Sequence, residues 1–288
     1  MSGQTEYALL AWGAVHLRDL PWRRTRDPWA ITVAEFMLQQ TQVERVLPKY
    51  AAFMDAFPSV TACCAATLGD VLVRWQGLGY PRRAKALHAL AGVCATDFDG
   101  AFPRTLSALM ALPGVGPYTA RAIMTFAYED DSAAVVDTNI GRVLARRNGS
   151  RLTVREAQTQ ADSLVPPGHS WLWNQSLMEL GATVCRARTP QCEDCPWHNS
   201  CTWRLAGGDD PAIGSAGVSS RQRRFEGSDR QGRGRLMRAV TGAPVEQAAL
   251  PATMGWNADM ERAHRVALTL LNEGLIATDS LGRYTLPG

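Results

Sequence analysis

Residues 105–128 read TLSALMALPGVGPYTARAIMTFAY, two helical patterns joined by the glycine-bearing string LPGVGPYTA, Leu112 to Ala120. Glycine takes φ > 0 without steric penalty, so Gly114 and Gly116 let the chain reverse tightly and leave successive backbone N–H groups on one concave side. Where such a turn runs straight into a helix, amides and helix dipole together suit a phosphate, which makes Gly114, Val115 and Gly116 candidate anion-binding positions. The same string also suits an ordinary helix–helix turn.

Outward from this hairpin the chain keeps a helical period. RDPWAITVAEFMLQQTQVERVL opens with Asp27 placed as an N-cap and Pro28 at the first helical position, then runs in apolar i, i+3, i+4 steps to Leu47. LGDVLVRWQGL, YPRRAKALHALAGVCAT, TNIGRVLARR, REAQTQADSLV and WLWNQSLMELGATVC read the same way between Gly, Pro and Asp breaks, so the body is expected to be all-α. AGGDDPAIGSAGVSS, residues 206–220, loses periodicity and reads as a linker. Beyond it GRGRLMRAV, VEQAAL and MERAHRVALTLLNEGL predict three short helices, and IATDSLGRYTL a β-prone hairpin. Together they form a small winged-helix-like module.

The segment CRARTPQCEDCPWHNSC, residues 185–201, holds four of the seven cysteines in the spacing C-x6-C-x2-C-x5-C. An odd count in a chain of 288 residues is no disulfide scaffold, and the first residues carry no basic region followed by a long apolar run. A reducing, cytoplasmic setting is therefore expected. Cys185, Cys192, Cys195 and Cys201 then suggest structural zinc or an iron-sulfur cluster. Only Cys192 and Cys195 form a C-x2-C knuckle, and zinc ribbons usually show two, so the spacing favours the cluster over zinc and over unrelated thiols. Cys63, Cys64 and Cys94 sit in apolar helical patterns as small core residues.

With 46% hydrophobic and 20% charged residues the composition is that of a globular chain, and no apolar run reaches membrane-spanning length. A net charge of +3 is too small to prove a nucleic-acid partner. Its distribution says more: Arg221, Arg223, Arg224, Arg230, Arg233, Arg235 and Arg238 crowd one segment against Glu226 and Asp229, which suits either DNA or a solvated face. The only lysines are Lys49 and Lys85.

Two carboxylates stand out. Glu35 lies among Phe36, Met37 and Leu38, where burial raises a carboxyl pKa and suits a proton donor. Gln39 and Gln42 follow it at i+4 and i+7 on one helical face. Asp137, in AAVVDTNIGRVLARR, sits where an apolar stretch meets a helix start, as an N-cap or as a charge stabiliser. An acid that protonates a leaving group and a carboxylate beside an oxocarbenium-like sugar are the requirements of glycoside chemistry.

Taken in order, PWRRTRDPWAITVAEFMLQQTQV, GLGY, LPGVGPYTARAI, VVDTNIGRVLAR and MELGATVCRARTPQCEDCPWHNSC resemble the helix-hairpin-helix DNA glycosylases that carry a [4Fe-4S] cluster, most closely the adenine DNA glycosylase branch. The resemblance spans about residues 5–205. It implies a six-helix barrel lobe over 20–131 and a cluster lobe from 1–19 and 132–205, followed by the linker and a module at 221–288 with no Nudix-like character. It implies Glu35 as the general acid toward adenine N7 and Asp137 as the carboxylate at C1′, with Tyr118 and Asn139 supporting the charged intermediate. Trp22, Arg23, Leu38 and Glu179 match residues lining the adenine pocket, and Gln39 and Tyr80 match residues inserted into the duplex. The four cysteines match the cluster ligands, and Arg186 and Arg188 match phosphate contacts on the cluster loop. The implied partner is double-stranded DNA containing adenine opposite 8-oxoguanine or guanine, met by a monomer. Related endonucleases attack C1′ with a hairpin lysine; Tyr118 stands at that position here, so a monofunctional, hydrolytic enzyme is expected.

Two positions depart from the branch. VDTN replaces the more usual DGN and leans toward the endonuclease pattern, and Pro81 follows Tyr80 where a second tyrosine is common. The rival readings are a thymine or uracil mismatch glycosylase of the same superfamily and a noncatalytic cluster-bearing DNA-binding protein. The need to protonate a purine leaving group favours the adenine reading.

Overall fold

The computed structural model describes residues 2–215, 224–257 and 259–288, with side chains from residue 7 onward. Arg221 and Arg223 of the basic segment, and residues 216–220 of the expected linker, lie outside the described residues. The helices are α1 (Ser2–His16), α2 (Pro28–Leu38), α3 (Val43–Ala56), α4 (Val60–Ala65), α5 (Leu68–Trp75), α6 (Arg82–Asp97), α7 (Leu106–Met110), α8 (Pro117–Ala127), α9 (Thr138–Asn148), α10 (Val154–Leu164), α11 (Ser170–Thr183), α12 (Thr202–Ala206), α13 (Asp229–Val240), α14 (Leu250–Met254) and α15 (Met260–Asn272). Strands β1 (Ala277–Thr278) and β2 (Tyr284–Thr285) pair antiparallel. The expected all-α body is thus observed.

Local chemistry sets the ends of these helices. Asp27 accepts from the backbone of Trp29 and Ala30, as its place before Pro28 predicts. Thr67 with Asp70, and Thr153 with Glu156, form reciprocal capping boxes on α5 and α10. Gly149 closes α9 at φ 74°, a left-handed position that a Cβ disfavours.

The chain divides into two compact units. One comprises residues 1–32, 104–111 and 115–220; the other comprises 33–103, 112–114 and 221–288. These bounds differ from the lobes that the resemblance implies. In the first unit α11 is the central helix: Trp173, Leu177 and Leu180 are buried with Leu9 of α1 and Ile140 and Leu144 of α9. Small residues let the helices close up. A Cβ on Gly13 would collide with Ser176, and one on Gly181 would lie 2.6 Å from the Asn139 Cβ. Residues 206–215, where a linker was expected, contribute to this interior: Ala212 and Ser215 are buried, and Ser215 Oγ accepts from Leu152 N at 3.2 Å.

In the second unit Phe53 of α3 meets Trp75 of α5 edge-on at 6.2 Å. The C-terminal module packs within this unit. Gln76 donates to Thr241 Oγ1 at 2.7 Å, Arg82 and Arg233 both pair with Glu273, and a Cβ on Gly69 would lie 2.6 Å from Pro287 O. Its order is helix, isolated bridge (Val245 to Tyr284), two helices, then the β1–β2 hairpin, which is a winged-helix order. The middle helix is displaced from the expected VEQAAL. Val245 is drawn into the bridge, Gln247–Ala249 form a 3-10 turn, and the helix begins at Leu250.

A second correction concerns residues 28–47, expected as one helix. The chain leaves the helix after Leu38, and Gln40 adopts φ 55° before α3 starts at Val43. Gln42 is extended and exposed at the N-cap of α3, so Glu35, Gln39 and Gln42 do not share one helical face. Apolar periodicity runs unbroken through Val43 and Leu47, which is why the break is silent in the pattern.

Candidate active site and cysteine centre

In the first unit the segment 133–136 reaches Asp137 extended, and side chains satisfy its backbone. Ala133 O accepts from Thr125, Ala134 O from Arg121 and Gln158, and Val135 N donates to buried Asn174 at 3.1 Å. Held this way, half-buried Asp137 caps α9, with Oδ1 accepting from Ile140 N at 2.7 Å and Oδ2 from Asn139 Nδ2 at 3.0 Å. Of the two sequence readings of Asp137, the N-cap is the one observed. Burial raises its pKa, opposed by those two donors and by the charge of Arg142.

Asn139 in turn accepts from Arg142 at 2.8 Å, and Arg142 donates to Gly181 O at 2.6 Å and Cys185 O at 2.7 Å. Tyr118 is half-buried at the second position of α8. Trp22 is buried in the 3-10 turn Pro21–Arg23. Glu179, fully buried on α11, pairs with Arg23 at 2.8 Å and Arg18 at 2.6 Å, while Gln175 accepts from Arg23 at 2.7 Å. Burial lowers the Arg23 pKa, and the Glu179 charge opposes the shift. The unit thus brings Arg23 and Glu179 together, with Trp22 next to Arg23 in the chain, and joins Asp137 with Asn139.

Glu35 belongs to the second unit, on the buried wall of α2 with Phe36 and Met37. Leu38 and Gln39 follow it, half-buried. Tyr80 is exposed and adopts φ 47°. In the hairpin only Gly114 is left-handed, at φ 75°, and a Cβ there would lie 2.7 Å from the Ala86 side chain. Val115 is buried, and Gly116 is extended at φ −90° as the N-cap of α8, ahead of Pro117. One glycine, rather than two, needs its conformational freedom here.

Cys185, Cys192, Cys195 and Cys201 line one cavity with His198 and Arg146. Among the described residues no three His, Cys, Asp or Glu groups converge to hold a single metal ion. Four sulfurs around one cavity make a donor set that fits thiolate ligation of an iron-sulfur cluster. Arg146 supplies positive charge, with Nη1 3.4 Å from Cys185 Sγ. Burial pushes the Cys195 thiol up to about 11 and raises that of Cys185. Arg146 also donates to the carbonyls of Cys185, Arg186 and Ala187 and pairs with Asp210 at 2.6 Å. Arg186 and Arg188 are exposed on the loop so held.

Residues 33–167 match the HhH-GPD superfamily of base excision DNA repair proteins. An adenine DNA glycosylase of Mycolicibacterium smegmatis is 42% identical over 97% of this chain and 95% of its own length, so the likeness includes the C-terminal module. The chain belongs to the adenine DNA glycosylase family. Among solved structures a thermostable thymine-DNA glycosylase is 31% identical with a TM-score of 0.67, over 71% of this chain and 97% of that one. An endonuclease III captured as a covalent intermediate with DNA shares the fold at 23% identity and a TM-score of 0.61, over 72% of this chain and 98% of that one. Against this family background Arg142, Arg146, Gln175 and Asn174 are residues that the sequence reading missed. RVLARR shows two arginines four apart on one helical face, but nothing in it says that they turn inward to carbonyls. No described helix is long and apolar enough to cross a membrane.

Proposed function

We propose that this enzyme hydrolyses the N-glycosidic bond of adenine opposite 8-oxoguanine or guanine in duplex DNA, without strand cleavage. The observation that carries the reading is Glu35, a carboxyl buried in the apolar wall of α2. A purine leaves readily only when protonated, and an acid sheltered from water suits that transfer to N7. Asp137, fixed by Ile140 N and Asn139, presents a carboxylate to the developing positive charge at C1′. Tyr118 and Asn139 support that charge, while Trp22, Arg23, Leu38 and Glu179 shape the pocket for an extruded base. Gln39 and Tyr80 fill the space it leaves, and Gln42 contributes to substrate binding. The amides of Gly114, Val115 and Gly116 hold a backbone phosphate.

Hydrolysis rather than lyase chemistry is supported by the two lysines. Lys85 donates to Glu273 O, and the Lys49 side chain lies beside Gly77, so neither stands at the Tyr118 position. Cys185, Cys192, Cys195 and Cys201 would hold a [4Fe-4S] cluster that orders the 186–191 loop, with Arg186 and Arg188 directed to DNA phosphates. For the C-terminal module, nonspecific DNA contact is one role and weaker 8-oxoguanine discrimination another. Internal use of Arg233 (to Glu273) and Arg235 (to Met254 O) supports a lesser role for these two in DNA contact.

A second reading has one observation in its favour, the 31% identity to a thymine-DNA glycosylase. Single-turnover excision on duplexes with A opposite 8-oxoguanine, A opposite G, T opposite G and U opposite G, each with and without alkali, separates the two. Alkali-dependent breaks at adenine alone are expected, and Glu35→Gln should abolish them while DNA binding persists. Breaks at T or U instead would refute the adenine assignment, and turnover by Glu35→Gln near the parent rate would remove Glu35 from the proton-donor role.

A further inference from the structure

Among the described residues of the second unit, three non-glycine residues adopt left-handed conformations: Asp99 at φ 52° and, in two turns that share a partner, Gln40 at φ 55° and Tyr80 at φ 47°. Such conformations persist only where the surroundings impose them, and they cluster at functional sites. Both of these turns are bound by one side chain. Arg83 Nη1 donates to Phe36 O at 2.7 Å and Met37 O at 3.3 Å, carbonyls of the last turn of α2, and to Gln39 O at 2.5 Å just beyond it. Its Nη2 donates to Leu78 O at 3.2 Å and Gly79 O at 3.3 Å, immediately before Tyr80. The guanidinium also lies over the Tyr80 ring at 5.2 Å and the Trp75 ring at 5.5 Å, and Trp75 Nε1 donates to the same Gly79 O at 3.0 Å.

We infer that Arg83 is a positioning residue that fixes the Gln39–Gln42 and Gly77–Pro81 turns as one preformed wedge, required for base extrusion rather than for bond cleavage. The inference rests on the reading that Gln39 and Tyr80 enter the duplex. Its physical basis is the planar fork of the guanidinium. Five N–H donors in fixed geometry can serve two sets of carbonyls at once, whereas a lysine ammonium is a point donor that satisfies one set and abandons the other. An orphaned set releases its turn from the left-handed conformation, and an aromatic side chain displaced by about 1 Å is a poor wedge.

The test uses a duplex whose target deoxyadenosine carries a 2′-fluorine, which resists cleavage, next to a fluorescent base that brightens on unstacking. The full-length parent should brighten the probe on binding, and Tyr80→Ala should not. Arg83→Lys should retain duplex binding but lose the brightening, and its single-turnover rate on the cleavable duplex should fall ~100-fold. Gly79→Ala perturbs the same turn at φ 75°, where a Cβ meets only open space, and should lose the brightening with Arg83 intact. It serves where Arg83→Lys does not fold. Full brightening by either folded variant overturns the inference, as does a parent that brightens no mispair. A parent that brightens T opposite G but not adenine mispairs refutes the adenine reading alone, and the Arg83 comparison is then made on that duplex.

Discussion

Arg146 on α9 and Arg262 on α15 each pair with an aspartate, at 2.6 Å and 2.8 Å, yet the two pairs differ in kind. The Arg146 side chain is 2% exposed, and its donors reach three carbonyls of the cysteine loop as well as Asp210. Arg262 is 31% exposed and shares a 41% exposed Asp229 with Arg265. Charge count and sequence pattern rate these arginines alike; burial and the number of acceptors separate them. In the first region arginine shapes a loop from the inside, and in the second it decorates a surface.

The largest expected effect tests the buried side of this contrast. Asp210→Asn leaves the Arg146 guanidinium buried without a counter-charge and should cost about 3–5 kcal/mol in urea unfolding. A loss below about 1 kcal/mol would erase the distinction between the two pairs. The same pair sets an acid limit. Burial tends to raise the Asp210 pKa, but the hydrogen bond from Arg146 and a backbone donor hold it below the ordinary aspartate range. Its stabilisation is therefore complete above the unfolded aspartate pKa and is lost as pH falls through the folded value, a loss that Asp210→Asn should not show.

Asp137 offers an intermediate case, a helix-capping carboxylate, proposed to act at C1′, with its pKa raised rather than lowered. A folded state that prefers the protonated form loses stability as pH rises, so the ionised carboxylate is a burden at neutral pH. Asp137→Asn should abolish adenine release while leaving stability at pH 7 equal or higher, because asparagine caps a helix as well as aspartate does. Asp137→Ala also loses the cap and should cost about 1 kcal/mol in the same unfolding experiment. The smallest effect belongs to the exposed pair: Arg265→Ala should change stability by no more than about 0.5 kcal/mol. A larger loss would mean that the C-terminal module depends on its surface charges.

Much of this was readable beforehand because local rules decided it. Asp27 before Pro28, the helix patterns, the hairpin and the cysteine spacing each follow from short-range chemistry, and they led to the family before any coordinates. The break after Leu38 was not readable, since apolar spacing continues across it while the carbonyls that end α2 are captured by Arg83, 44 or more positions away in the chain. The inward course of Arg142 and Arg146 was hidden for the same reason, because their acceptors lie on a loop about 40 residues further on. Left-handed Gln40 and Tyr80 carry no local signal, being neither glycine nor asparagine.

The place of Asp210 bears on where this chain can be cut. Residue 205, just past the cysteine segment and at the end of the family motifs quoted from the sequence, invites truncation or limited proteolysis as a natural edge. Severing there would remove Asp210 and Ser215 together, taking the counter-ion of Arg146 and the acceptor for Leu152 N out of the first unit. A fragment meant to isolate the cysteine-bearing unit has its workable boundary after Ser215, ten residues beyond that edge.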